Sequence, residues 1–251
     1  MQTIEHYLRC VIPGCGRQIR RATPPSITLC YCNYHVQFRA RHGSHWYPTY
    51  KAADLRPYLT VAAEWIEEHR AEAFVSYPLV GLRGLLDGAG RVEPAMDIKR
   101  RPAAFRARVA FARLREAGVK PERLMAIHMA VAALIEDDRG SHRVTEFRLV
   151  QTAKAVHRLA SGTHPQWEWP MRDGTVRPLN FHAYPKSSGL VLRVIGREID
   201  EICGEVTERA LEAVLAARLA KFGPHPSHLP GWKPLWMRQR EAAQRKLAKG
   251  A

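Results

Sequence analysis

Pro102-Ala-Ala-Phe105-Arg106-Ala-Arg108-Val109-Ala-Phe111-Ala112-Arg113-Leu114-Arg115-Glu-Ala-Gly118-Val-Lys-Pro121 is the stretch that sets the fold class. Phe105, Val109 and Ala112 recur at helical spacing between a helix-starting proline and a helix-stopping glycine, which predicts a basic helix over 102–117. Pro121 opens the next helix, 121–137, with Leu124, Ile127, His128, Val131, Leu134 and Ile135 expected in a core. A third helix, 143–160, follows Gly140-Ser141. Three helices joined by short Gly-containing turns are compatible with a helix-turn-helix, and equally with a small bundle.

Working outward, residues 51–70 read as a helix with Leu55, Tyr58, Leu59, Ala62, Trp65, Ile66 and His69 on one side and Pro57 in its first turns. A short helix is expected around Leu79–Leu86, stopped by Gly88 and Gly90. Residues 167–181 read as a β-hairpin turning at Asp173-Gly174, which after a helix trio is compatible with a winged helix. Helical sequence resumes from Ser187 to Cys203 and over 205–221, and Gly204 either divides two helices or sits inside one. A basic helix is expected over 233–249. Cys10-x4-Cys15 with Cys32-x2-His35 adds an N-terminal zinc knuckle, so the expectation is a mainly α protein with that knuckle and one β-hairpin. Its units would be 1–45 (zinc), 51–161 (helical), 162–222 (hairpin plus long helix) and 223–251 (basic tail).

The zinc expectation rests on Cys10-Val-Ile-Pro-Gly-Cys15 and Leu29-Cys30-Tyr-Cys32-Asn-Tyr-His35. Two close pairs of soft ligands separated by a basic loop match what tetrahedral zinc requires. Four of the five cysteines lie within residues 10–32, with no charged-then-apolar leader ahead of them, which argues against a disulfide framework. Cys32 and His35 make the better second pair, and Cys30 is the alternative third thiol.

The stretch from Arg9 to Gly43, including Cys32-Asn-Tyr-His35-Val36-Gln-Phe38-Arg39-Ala-Arg41-His42-Gly43, resembles a small zinc module. Such modules occur in phage and mobile-element proteins, often fused to HNH endonucleases. The likeness implies zinc and nucleic-acid contact, and does not imply a particular activity. This chain departs from the pattern by its extra Cys30, by Val36 where an aromatic is usual, and by a longer loop containing Pro24-Pro25. Residues 50–251 suggest no family.

The 251-residue chain carries a formal charge of +15, concentrated at residues 1–50 (net +5), 97–123 (net +6) and 232–251 (net +5). Clustered positive charge points to a polyanion, and none of these stretches has the bulky apolar face of a membrane-surface helix. The expected phosphate contacts are Arg17, Arg20, Arg21, Arg39 and Arg41, extended by Lys99, Arg100, Arg101, Arg106 and Arg108. Arg148, Gln151, Lys154 and Arg158 share one face of the 143–160 helix, a pattern able to read base edges. No apolar run reaches membrane-spanning length, so a soluble, cytoplasmic protein is expected.

Catalytic patterns are weak. Asn180-Phe-His182, with His157 and His164 upstream, lacks the order of an HNH site. Asp97-Ile98-Lys99 lacks an apolar strand around it, no phosphate-binding loop is present, and Cys203 lies on an apolar helix face. The expected function is therefore a zinc-containing DNA-binding protein without its own catalytic site, an accessory or targeting subunit of a mobile-element or defence complex. A subunit of an RNA-guided effector complex and a divergent HNH-like nuclease are the alternatives.

Overall fold

The computed structural model describes residues 9–19, 30–93, 98–160, 167–179 and 187–235, together with 237, 238, 240, 241, 244 and 245. Seven α-helices and one pair of short strands occur among them: α1 Asn33–His42, α2 Ala52–Glu68, α3 Ala73–Asp87, α4 Ala103–Glu116, α5 Pro121–Asp137, α6 Thr145–Leu159, β1 Trp167–Pro170, β2 Val176–Leu179 and α7 Gly189–Phe222. The protein is mainly helical, as its periodicity predicts.

Helix α5 is the centre. Every residue from Leu124 to Ile135 is buried, not only the expected stripe, because alanine and methionine fill the rest of its circumference. A helix apolar all round has to be enclosed by others, and α2, α3, α6 and α7 pack against it. One buried cluster runs from Tyr50 to Val214, so helices on either side of the boundary expected at 161/162 share a single core.

Helix α7 spans 34 residues without a break, and Gly204 sits inside it. One glycine costs a helix about 1 kcal/mol, which the packing of α7 along the other helices outweighs. The expected 79–86 helix likewise extends to 73–87, with Pro78 inside it.

Close approaches fix how α7 lies. At Gly196 an added Cβ would fall 2.3 Å from the Leu149 carbonyl oxygen of α6, and at Gly189 it would fall 2.0 Å from the Ala40 carbonyl oxygen of α1. Inside the core, His128 of α5 lies 2.7 Å from Thr207 Oγ1 and 2.8 Å from Asp200 Oδ1, both on α7. Arg148 of α6 pairs with the same carboxylate at 3.0 Å. Burial lowers the His128 pKa, and the His128 hydrogen bond, ahead of Arg148, holds the Asp200 carboxyl below its usual range.

The strands pair antiparallel, with Trp167 opposite Leu179 and Pro170 opposite Val176. Residues 161–166 and 180–186 and the side chains of Trp167 and Trp169, which bear on the winged-helix and Asn180/His182 expectations, lie outside the described residues. So do residues 236, 239, 242, 243 and 246–249 of the expected 233–249 helix; the described residues between 235 and 245 are helical, and the Pro234 carbonyl accepts from the N–H groups of Met237 and Arg238.

Gly204 and Gly196, both inside α7, make opposite predictions. Gly204 has nothing within 4 Å of a built Cβ, so Gly204→Ala should raise stability by about 0.5–1 kcal/mol. Gly196→Ala has the same helix-propensity gain, yet it should lower the urea midpoint because the Leu149 backbone must move.

Candidate metal centre

Cys10 and Cys15 lie in a tight loop. The Cys10 N–H donates to the Arg17 carbonyl at 2.9 Å, the Cys15 N–H donates to the Ile12 carbonyl at 3.0 Å, and Arg9 bridges to Gln18. The Val11 N–H donates to the Cys30 carbonyl at 3.0 Å, bringing the second ligand pair against this loop. Cys32 is the N-cap of α1 and His35 lies one turn in, so both point from the start of the same helix.

The ligand atoms of Cys10, Cys15, Cys32 and His35 all lie within 4.8 Å of one another and could hold a metal ion. Cys15 and Cys32 sulfurs are 3.7 Å apart, and His35 Nδ1 lies 3.1 Å from the Cys10 sulfur and 3.4 Å from the Cys32 sulfur. A tetrahedron with metal–sulfur bonds of about 2.3 Å has edges of about 3.8 Å, so little movement is needed to close the sphere. Cys30 is exposed and outside the group; it contributes its carbonyl instead.

Burial raises the Cys32 thiol pKa, but hydrogen bonds from the His35 and Tyr34 N–H groups and from the neighbouring thiols outweigh it and hold the group below its ordinary value. Burial pushes Cys15 up to about 11, a position that coordination would reverse, because a metal deprotonates a ligating thiol. Burial, with Arg17 nearby, keeps His35 neutral and able to ligate.

The centre is tied to the helical body through α1. Glu146 of α6 accepts from Arg39 Nε at 2.8 Å and from Arg193 Nε of α7 at 2.9 Å. Arg193 also donates to the Arg39 and Ala40 carbonyls. Burial opposes ionisation of Glu146, but the two guanidinium groups outweigh it and hold its carboxyl below the usual range. Tyr31 stacks on His45 at 3.6 Å, which ties the segment after α1 back to the ligand loop.

The fold itself engages many of the expected phosphate and base contacts. Arg39 is held by Glu146, and Arg148 by Asp200. Gln151 is 2% exposed; its amide donates to the His42 carbonyl and its oxygen accepts from the Tyr50 N–H. Lys154 donates to Thr49 Oγ1 at 2.6 Å, and burial followed by Arg158 pushes its pKa down to about 8. The expected reading face of the 143–160 helix is thus largely an internal seam, and of its four residues only Arg158 is exposed.

Basic helix α4 behaves similarly. Arg108 donates to the Ala89 carbonyl, Arg115 to the carbonyls of Leu86, Asp87 and Gly90, and Arg113 to Ala160. These guanidinium groups satisfy carbonyls left open at the ends of α3 and α6. Arg106 is half-buried. Arg17, Arg41, Lys99, Arg100 and Arg101 are exposed, and Arg17 lies 4.2 Å over the Tyr34 ring. Arg20 and Arg21 lie outside the described residues.

Of the catalytic candidates, Cys203 is fully buried and burial pushes its thiol up to about 12, as befits an inert core residue. His157 lies 2.9 Å from Ser187 Oγ. Asp97, His164, Asn180 and His182 lie outside the described residues. Sequence reasoning missed Glu146, because a glutamate on a helix surface carries no sign of partners 107 and 47 residues away.

Comparison of the chain with protein-family models, with curated proteins and with solved structures finds no match.

Two outcomes follow from this geometry. Cys10→Ser, Cys15→Ser, Cys32→Ser and His35→Ala should each lose bound metal, read by elemental analysis and by the charge-transfer bands of a cobalt-loaded sample, whereas Cys30→Ser should retain it. Independently, burial lowers His42 and His45 from 6.5 to about 4, with Lys154 and Arg41 adding to the effect on His42, and Arg39 and His142 on His45. Both bind protons more readily in the unfolded chain, so their contribution to stability is present above about pH 6.5 and is lost as pH falls towards 4. Melting midpoints should drop across that window, and less steeply in His42→Gln and His45→Gln.

Proposed function

We propose that this chain is a zinc-containing nucleic-acid-binding protein, with DNA as its polymer, acting as an accessory or targeting subunit of a mobile-element or defence nucleoprotein complex. The observation that carries the proposal is the Cys10/Cys15/Cys32/His35 group, at the base of a helix whose surroundings present exposed arginines. Three thiols and one imidazole at tetrahedral separations form a soft donor set that suits zinc over magnesium or calcium. Zinc would hold the ligand loop against α1 and fix Arg17 over the exposed Tyr34 ring, on the helix that also carries Arg41.

The charge supports a polyanion partner. The chain is net +15, and the internal uses of Arg39, Arg108, Arg113 and Arg115 leave a smaller surface set for contact. Arg17, Arg41, Lys99 and Arg101 belong to that exposed set, and Arg20 and Arg21 belong to the same ligand loop in sequence. Arginine grips phosphate through a planar fork, giving register without reading sequence. No helix among the described residues is long and apolar enough to cross a membrane, and a cytoplasmic setting, which keeps these thiols reduced, fits the proposal.

The test is binding of the purified chain to labelled duplex DNA, single-stranded DNA and RNA over a salt series, with zinc quantified on the same sample. One zinc per chain and tight, steeply salt-dependent duplex binding is the expected result. Arg17→Ala and Arg41→Ala should weaken binding similarly on all sequences, each reducing the salt slope by about 1. A zinc-loaded chain that binds none of the three polymers would overturn the proposal, and tighter binding to RNA would move it to the guided-complex alternative.

A further inference from the structure

We infer that the groove between α2, α5 and α6 is a docking site for an acidic amphipathic helix of a partner protein. The groove has a volume of about 430 Å³. Leu59, Ala63, Ile127 and Leu159 form its apolar floor, and Arg56, Arg123 and Arg158 are its charged lining, with no carboxylate among the residues that line it. The three arginines come from three different helices. All three are exposed, and none makes a side-chain hydrogen bond or ion pair among the described residues. That contrasts with Arg39, Arg108, Arg115 and Arg193, each of which is engaged by the fold.

A second hollow of about 500 Å³ continues the groove, sharing Ala63, Arg123 and Leu159 with it; it adds Lys120 and two carboxylates, Glu67 and Glu122, both paired with Arg70. Along α2 the combined lining runs from Ala52 to Glu67, about 22 Å at 1.5 Å per residue, or four helical turns. The chemistry selects the occupant. An aliphatic floor takes an apolar helix stripe spaced i, i+3, i+4, i+7, and guanidinium forks bind carboxylates bidentately. The groove lining offers no aromatic ring on which a base could stack. Arginine is also enriched at protein interfaces, where lysine is depleted. Arg158, expected from sequence to meet nucleic acid, is thereby assigned to this groove. The groove is built from α2, α5 and α6 alone, so the inference does not rest on the metal centre.

The experiment is a display selection on the full chain with a library of 18-residue peptides, followed by anisotropy titration of one selected peptide. Selected sequences should carry an apolar stripe at helical spacing flanked by Asp and Glu. The triple variant Arg56→Glu/Arg123→Glu/Arg158→Glu should weaken the peptide at least ten-fold, Arg123→Gln should weaken it less, and Ala63→Trp should abolish binding by filling the floor. All three variants should keep the wild-type circular dichroism spectrum, metal content and duplex-DNA affinity. The inference falls if selection enriches no acidic amphipathic sequence, or if the selected peptide binds Arg123→Gln and Ala63→Trp as tightly as wild type. It falls equally if DNA affinity drops with the arginine variants, which would make nucleic acid the occupant.

Discussion

Burial of α5 on every side is the constraint from which the rest of the structure follows. Its stretch from Leu124 to Ile135 is buried around the whole circumference and leaves no face for water. Helices α2, α3, α6 and α7 have to enclose it, and α7 has to be long enough to lie along several of them. The polar exception at the centre, His128, is tolerable because Thr207 and Asp200 occupy both ring nitrogens and Arg148 balances the carboxylate. That set joins α5, α6 and α7 through directional bonds as well as packing.

The same enclosure explains where the basic residues went. Helices that end against neighbours leave carbonyl oxygens without partners, and long guanidinium side chains reach them from α4. Arginine does here what a capping glycine or a water molecule does elsewhere, and it binds α4 to the ends of α3 and α6. A chain can therefore be strongly basic overall and still use much of that charge internally. Two clusters of the surface charge that remains differ in character. One lies beside the metal ligands, near an exposed aromatic ring; the other rims an aliphatic groove on the helical body.

Coupling between the candidate metal centre and the body is centred on one carboxylate. Glu146 takes Arg39 from α1 and Arg193 from α7, and Arg193 reaches back to the carbonyls at the end of α1. The centre is consequently docked on the helical core, although in sequence it reads as a separate 45-residue unit. Gln151 and Lys154 reinforce the junction by bonding to His42, Tyr50 and Thr49.

The amino-acid sequence alone made the helices and the candidate ligand pairs legible, because both depend on local spacing. Periodicity placed α2, α4, α5 and α6, and the Cys10/Cys15 and Cys32/His35 pairs are each held by a single turn of chain. Tertiary structure decided between Cys30 and Cys32, since that depends on which side chain faces the opposing pair. It also decided that Gly204 continues α7, because packing along the core outweighs the local cost of a glycine. Above all it decided the role of each arginine. A guanidinium bound to a carbonyl 153 residues away, as Arg193 is to Ala40, and one open to solvent look identical in sequence, and only the folded arrangement of acceptors tells them apart.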